Sequence, residues 1–179
     1  MTRFRQLWST AARRAAGVAL VACGILILAN TAAYRQAEAW STWRVVDAVV
    51  GRGTYLQPNS GTFFVGLETK NAVGLRIDQL CSTGGIAGVL IIFTGVLLIA
   101  AGLRVRRALL GLGAMLGLLL VVNVVRLTAL SWTVTTWGLT GWFEWLHLYG
   151  GAAISMVAIA VGLALYLRLI RRSVPEPIV

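Results

Sequence analysis

The chain has 179 residues, of which 58% are hydrophobic and only 12% charged. Soluble domains run at about 45–50% apolar and about 25% charged, so one small soluble core would leave too much apolar surface uncovered. Seven tryptophans and a low charge density exclude disorder, and two cysteines exclude a disulfide-dense scaffold or a four-cysteine zinc site. The composition predicts an all-α integral membrane protein.

In chain order, residues 1–14 read as a basic N-terminal segment and residues 15–170 as a single membrane domain. Four apolar runs meet the length of a membrane-crossing helix, about 17–25 residues. They are Ala15 to Ala33, Gly84 to Leu103, Ala108 to Leu130 and Leu148 to Leu169, a bundle of four transmembrane helices. A competing reading takes the basic N-terminus, the apolar run and Thr31-Ala32-Ala33 as a cleavable signal peptide. Between the first two runs lies an external loop, 34–83, opening with an interfacial helix over Tyr34–Val50 that carries Trp40 and Trp43. Turn signals follow at Gly51-Arg52-Gly53 and Pro58-Asn59-Ser60-Gly61, then Thr62–Leu67 and Ala72–Ile77 read as a short hairpin. Gly111, Gly113 and Gly117 are expected to let helices pack closely in lipid. A second external segment, Thr128–Leu146, holds four tryptophans and is expected to lie along the outer membrane interface or to dip into it. Residues 171–179 form a tail expected to be disordered around Pro175–Pro177.

The formal charge is +10, yet its distribution argues against nucleic acid as a partner. The basic residues are parcelled between the apolar runs, a pattern that sets membrane orientation. Arg3, Arg5, Arg13, Arg14, Arg104, Arg106, Arg107, Arg168, Arg171 and Arg172 face one acid, Glu176, a net +9 on one side. The other side has six basic against five acidic residues, a net +1. The positive-inside rule predicts cytoplasmic termini, with 34–83 and 128–147 at the extracytoplasmic face of the cell membrane.

Polar residues near lipid are functional candidates. Cys23 is mid-run among apolar neighbours and reads as a small hydrophobe. Cys81 follows Asp78 at the outer start of the second run, where a helix N-terminus and a nearby cation would favour the thiolate. Asn123 and Arg126, three apart, share one face near the outer end of the third run. His147, the only histidine, opens the fourth, and Glu144 is placed to orient its ring. Alternating topology brings Cys81, Arg126 and His147 to one external level. A thiol, a guanidinium and an imidazole there form a usable set for acyl transfer.

At these positions the sequence resembles the exosortase/archaeosortase family. Cys81-Ser82 followed by glycine at a span start, Asn123-x-x-Arg126 late in the next span and His147 opening the last carry the resemblance, which covers about residues 75–165. The usual Cys-Ser/Thr-Gly start has one residue inserted here, and many members have more than four spans. The resemblance implies a membrane cysteine transpeptidase whose partners are exported proteins bearing a C-terminal motif, a transmembrane helix and a basic tail. It implies transfer of the cleaved protein to a surface acceptor such as a membrane lipid. It assigns Cys81 as nucleophile, Arg126 as the catalytic arginine, His147 as the third catalytic group, and Asn123 in support. Asp78 and Glu144 are further supporting residues by position. No cofactor and no metal is expected, since one histidine and two distant cysteines make no ligand set. The rival reading is a non-catalytic four-helix membrane scaffold or small transporter subunit.

Overall fold

The structure, a computed structural model, describes residues 2–171 apart from Arg52, Leu80 and Thr140, with side chains described from Thr10 to Ile170. The tail at Pro175–Pro177, Arg172 and Glu176, and the side chains of Arg3, Arg5 and Arg171, lie outside the described residues. The three prolines are Pro58, Pro175 and Pro177, so no ring interrupts the apolar runs and helices propagate through them. Helix α1 is Thr2–Ala29, α2 Thr31–Val50, α3 Gly84–Ala100, α4 Val105–Trp137, α5 Gly141–Trp145 and α6 Gly151–Arg171. A π-helical turn, Leu146–Gly150, joins α5 to α6. Left-handed glycines stop two of these helices. Gly51 (φ +55°) caps α2, and Gly138 (φ +72°) ends α4 while its N–H reaches the Val134 carbonyl at 2.9 Å.

Among the described residues, three stretches are long and apolar enough to cross a membrane: Thr10–Ala29, Val105–Trp137 and Gly141–Ile170. Helix α3, at 17 residues, stops three residues short of the expected end and is at the lower limit of spanning length. The first run also ends earlier than expected, because the helix breaks at Asn30. Helix α4 corrects the sequence reading most. The expected interfacial segment at Thr128 is instead its continuation as far as Trp137. The hydroxyls of Thr128, Ser131, Thr133 and Thr135 donate to carbonyls four residues back at 2.8–3.0 Å, so polar side chains ride on the helix without ending it.

The chain divides into two compact units. In the one made of 2–29, 85–117 and 160–171, glycines bring α1 and α3 together. A Cβ on Gly17 would lie 2.8 Å from the Gly95 carbonyl oxygen, and one on Gly24 would lie 2.7 Å from that of Gly88. As one index rises the other falls, so the helices run antiparallel with a seven-residue repeat. Backbone approach this close needs glycine on both sides. The expected packing glycines behave differently: Gly111 lies against Tyr166, but nothing comes within 4 Å of a Cβ at Gly113 or Gly117. The fully buried Thr94 and Tyr166 hydroxyls share a 2.7 Å hydrogen bond between α3 and α6.

The other unit, 30–84 and 118–159, holds a three-stranded antiparallel sheet in the order β1 (Thr54–Gln57), β2 (Thr62–Val65), β3 (Val73–Arg76). The expected hairpin is β2–β3, with Thr62 opposite Arg76 and Val65 opposite Val73. Strand β1 is an addition, too short at four residues to stand out in the sequence. Phe63 and Val65 alternate into a core with Ala39, Val46 and Val50 of α2 and Leu127, Leu130 and Val134 of α4. Phe63 is fully buried, and its truncation to Ala would cost about 3–5 kcal/mol. Ile77 and Cys81 belong to the same core, so the sheet leads the chain straight into the site.

Candidate active site

The segment between β3 and α3 is fixed at both ends. Asp78 Oδ1 accepts the Cys81 backbone N–H at 2.8 Å, and the Asp78 carbonyl accepts the Ser82 N–H at 3.1 Å. An Asp side chain bonded to backbone this way makes a local turn that holds the cysteine in place. Downstream, the Ser82 hydroxyl accepts the Gly84 N–H at 3.1 Å, capping the start of α3.

Glu38 binds this segment from below. Residues 38, 42, 46 and 50 recur every four positions, so Glu38 lies on the buried stripe of α2 and is only 3% exposed. Its Oε2 accepts from the Ser82 hydroxyl at 2.6 Å. Its Oε1 accepts from Thr83 N–H at 3.0 Å, Thr83 Oγ1 at 2.6 Å and Asn123 Nδ2 at 3.2 Å. A buried carboxylate is tolerated when its lone pairs are filled, and here donors from α4 and the cysteine segment fill them. Asn123 therefore acts through Glu38, tying the helix of Arg126 to the segment of Cys81.

Cys81 and Arg126 are each about one-tenth exposed, and the guanidinium is near enough for its charge to act on the thiol. Arg126 Nη1 also donates to the Ser155 hydroxyl at 2.9 Å, and that hydroxyl donates to the Gly151 carbonyl at 2.8 Å. The arginine stem runs along Gly151, where a Cβ would come within 3.3 Å of both Cδ and Nε. Arg126 Nε is buried and has no hydrogen-bond partner among the described residues. One strong donor of the guanidinium is thus unused.

Burial is the largest influence on the Cys81 thiol and pushes its pKa up. Arg126 pulls the other way, while the Asp78 carboxylate adds to the rise. The sequence led to the opposite expectation, a thiol lowered by a cation and a helix terminus. Desolvation outweighs the cation, since removing water disfavours the charged form, and α3 starts only at Gly84, three residues beyond the thiol. The thiol is protonated at rest.

His147 stands apart from this cluster. It is exposed in the π-helical turn, its ring stacked on Phe143 with centroids 5.7 Å apart and planes 2° from parallel. Among the described residues no hydrogen bond or ion pair links it to Cys81, Arg126 or Glu144. The wider turn starting at Leu146 breaks the three-residue register that would have set Glu144 against the ring. Phe143 and Leu146 do pack against the core that contains Cys81.

The chain matches no known protein family, no curated protein and no solved structure. Among the described residues no group of three His, Cys, Asp or Glu side chains is arranged to hold a metal. Sequence reasoning brought out Cys81, Asp78, Asn123 and Arg126, which meet through direct contacts or through Glu38. It missed Glu38 and Ser155. The four-residue spacing of Glu38, Thr42, Val46 and Val50 was the available signal for Glu38. Ser155, one turn beyond Gly151 in an apolar helix, gave none.

Proposed function

We propose that this protein is a membrane-embedded cysteine peptidase or transpeptidase of the exosortase/archaeosortase type, acting on exported proteins with a C-terminal sorting signal. The observation that carries this reading is the nearness of the Arg126 guanidinium to the Cys81 thiol, within a buried network that Asp78, Glu38 and Ser155 complete. Such a network has no evident use in an inert thiol site. In this reading α3 is a fourth span, both termini are cytoplasmic, and the cysteine faces the extracytoplasmic side. Exposed Trp40, Trp132, Trp137, Trp142 and Trp145 suit a headgroup level there.

In the reaction, substrate binding brings His147 to the thiol, and Cys81 Sγ attacks the scissile carbonyl carbon as its proton passes to that imidazole. Arg126 stabilises negative charge, first on sulfur and then on the carbonyl oxygen, where the unpartnered Nε is an available donor. The C–N bond breaks, His147 protonates the leaving amine, and a thioester remains on Cys81. An acceptor amine, or water, then attacks the thioester carbonyl; its proton goes through His147 and the thiol is regenerated. The exposure of His147 suits a group that must exchange protons with substrate and acceptor.

The raised thiol favours a second reading, a non-catalytic membrane scaffold in which Cys81 is a packing residue. One experiment separates them. In whole cells expressing a sorting-signal protein, Cys81→Ala should abolish the size shift of substrate at an unchanged membrane level, and Arg126→Lys should impair it severely, since an ammonium lacks the planar fork. Processing by the Cys81→Ala variant at the parent rate would leave the scaffold as the account.

A further inference from the structure

At the far end of the sheet from Val65 lies a second polar site, separate from the cysteine. A cavity of about 420 Å³ is lined by Arg35 of α2, Arg76 of β3, Gln57 of β1, Thr62 of β2 and the turn residues Asn59 and Ser60. The volume is within the range of small-molecule sites, roughly 300–1,000 Å³.

The fold builds this cavity deliberately from three strands and a helix. Gln57 pairs with Thr62, and Thr62 pairs with Arg76, so the three side chains stand as neighbours on one face of the sheet. The intervening turn is fastened to α2, where Gln36 Nε2 donates to Asn59 Oδ1 at 2.9 Å. Asn59 is the one non-glycine among the described residues with positive φ, at 60°, and Gly61 follows at 63°. Two left-handed residues in one short turn fold it back, and a Cβ on Gly61 would sit 3.8–3.9 Å from Arg35 atoms. The Gly61 carbonyl accepts the Ile77 N–H at 3.0 Å, which closes the turn over the end of β3. Arg35 and Arg76 are thereby brought to one cavity from opposite sides.

The charge of the cavity is one-sided. Its lining has two guanidiniums and no carboxylate. Among the described residues, neither Arg35 nor Arg76 has an ion pair or a side-chain hydrogen bond. The other described arginines of the same unit are engaged: Arg126 donates to Ser155, and Arg44 lies over the rings of Trp40 and Trp43 at 5.1 and 5.7 Å. Two unengaged planar forks, with the Gln57 and Asn59 amide donors beside them, match a tetrahedral oxyanion of charge one to two.

We infer that this cavity is a phosphate-binding site, with the phosphate group held between Arg35 and Arg76 and hydrogen-bonded by the side-chain amides of Gln57 and Asn59. The phosphate belongs either to a soluble phosphoester or to a lipid headgroup, and Ala32 of the lining follows the apolar α1 by three residues in the chain. This inference does not depend on the cysteine chemistry.

The test uses the full chain purified in an uncharged detergent. Equilibrium dialysis against radiolabelled inorganic phosphate should give saturable binding at one site per chain. Sulfate should displace it, while chloride at equal ionic strength should displace it far less. Arg35→Gln and Arg76→Gln should each weaken binding by about tenfold or more, whereas Lys70→Gln, exposed and outside the cavity, should leave it unchanged. If inorganic phosphate fails but a short-chain phosphatidylglycerol below its micelle concentration binds with the same dependence on both arginines, the source is a lipid headgroup. No binding of either probe overturns the inference. So does binding that survives the Arg35→Gln/Arg76→Gln double variant, or that chloride removes as readily as sulfate. The sulfate and chloride comparison needs only the parent chain, so it decides the matter even where a variant fails to fold.

Discussion

Replacing Glu38 by Leu removes the acceptor on which two elements of the site converge. The two hydroxyl donors can turn elsewhere: Thr83 Oγ1 has Tyr34 Oη at 3.2 Å, and the half-buried Ser82 keeps accepting the Gly84 N–H while its own hydrogen turns to solvent. The Thr83 N–H and the Asn123 amide cannot, and each becomes a buried donor without a partner. At about 1–3 kcal/mol per stranded donor, the loss is about 4 kcal/mol. For a chain of this size that lowers Tm by about 8–16 °C. Glu38→Gln keeps one carbonyl oxygen for these two donors, and its new N–H2 can be accepted by Ser82 Oγ. The cost should be about 1 kcal/mol, or about 2–4 °C. Tryptophan fluorescence during heating in mild detergent measures both, and Cys81 alkylation at 25 °C should be faster in the Leu variant because its segment is released. A Leu variant melting within about 2 °C of the parent would refute the argument. It would mean that water reaches Thr83 and Asn123, or that the four bonds contribute nothing net.

Alkylation of Cys81 should require higher pH than an ordinary thiol; Arg126→Gln should move the profile higher still and Asp78→Asn lower, because the cation lowers and the carboxylate raises this pKa. A profile unmoved by either change would contradict the nearness of these groups. The same raised value predicts a stability contribution complete below the ordinary thiol pKa and lost as pH rises through the raised one, so Cys81→Ala should flatten the melting profile in alkaline buffer. Gly24→Ala puts a methyl 2.7 Å from the Gly88 carbonyl oxygen and should lower Tm by several degrees, whereas Gly113→Ala, with open space, should not. Tyr166→Phe removes the 2.7 Å bond to Thr94 and should cost about 1 kcal/mol, since Thr94 keeps its bond to the Leu90 carbonyl; no change in Tm would speak against that bond. In intact cells, an impermeant thiol reagent should label a cysteine placed at position 59 and not one at position 105; the reverse would invert the proposed topology.

The helices were legible because apolar runs without proline permit little else. Their ends were not. Thr128 to Trp137 reads as polar and interfacial, and only the bonds from hydroxyls to the preceding turn explain why α4 continues. Strand β1 is four residues of mixed polarity, shaped by its pairing with β2 rather than by its own pattern. The proximity of Cys81 to Arg126 followed from their common depth in alternating spans. The sign of the thiol shift did not, because burial depends on Leu127, Leu130 and Ile77, which come from other parts of the chain. Glu38 looked like one more loop charge. Its burial was set by the register of α2, and a sequence shows register only once the buried face is known.

The glycine seam between α1 and α3 bears on how such a chain enters a bilayer. Helix α3 has only 17 residues, and its glycines at 88 and 95 leave a furrow that α1 fills. In the membrane reading, α1 emerges from the ribosome first and waits through the whole sheet-bearing excursion for its mate. A proteolytic cut after Ala33 during export would leave that mate to diffuse away and expose the furrow to lipid chains that fill it poorly. The seam therefore argues for retention of α1 as a working part of the finished protein, and it makes the first helix a chaperone in cis for the shortest one.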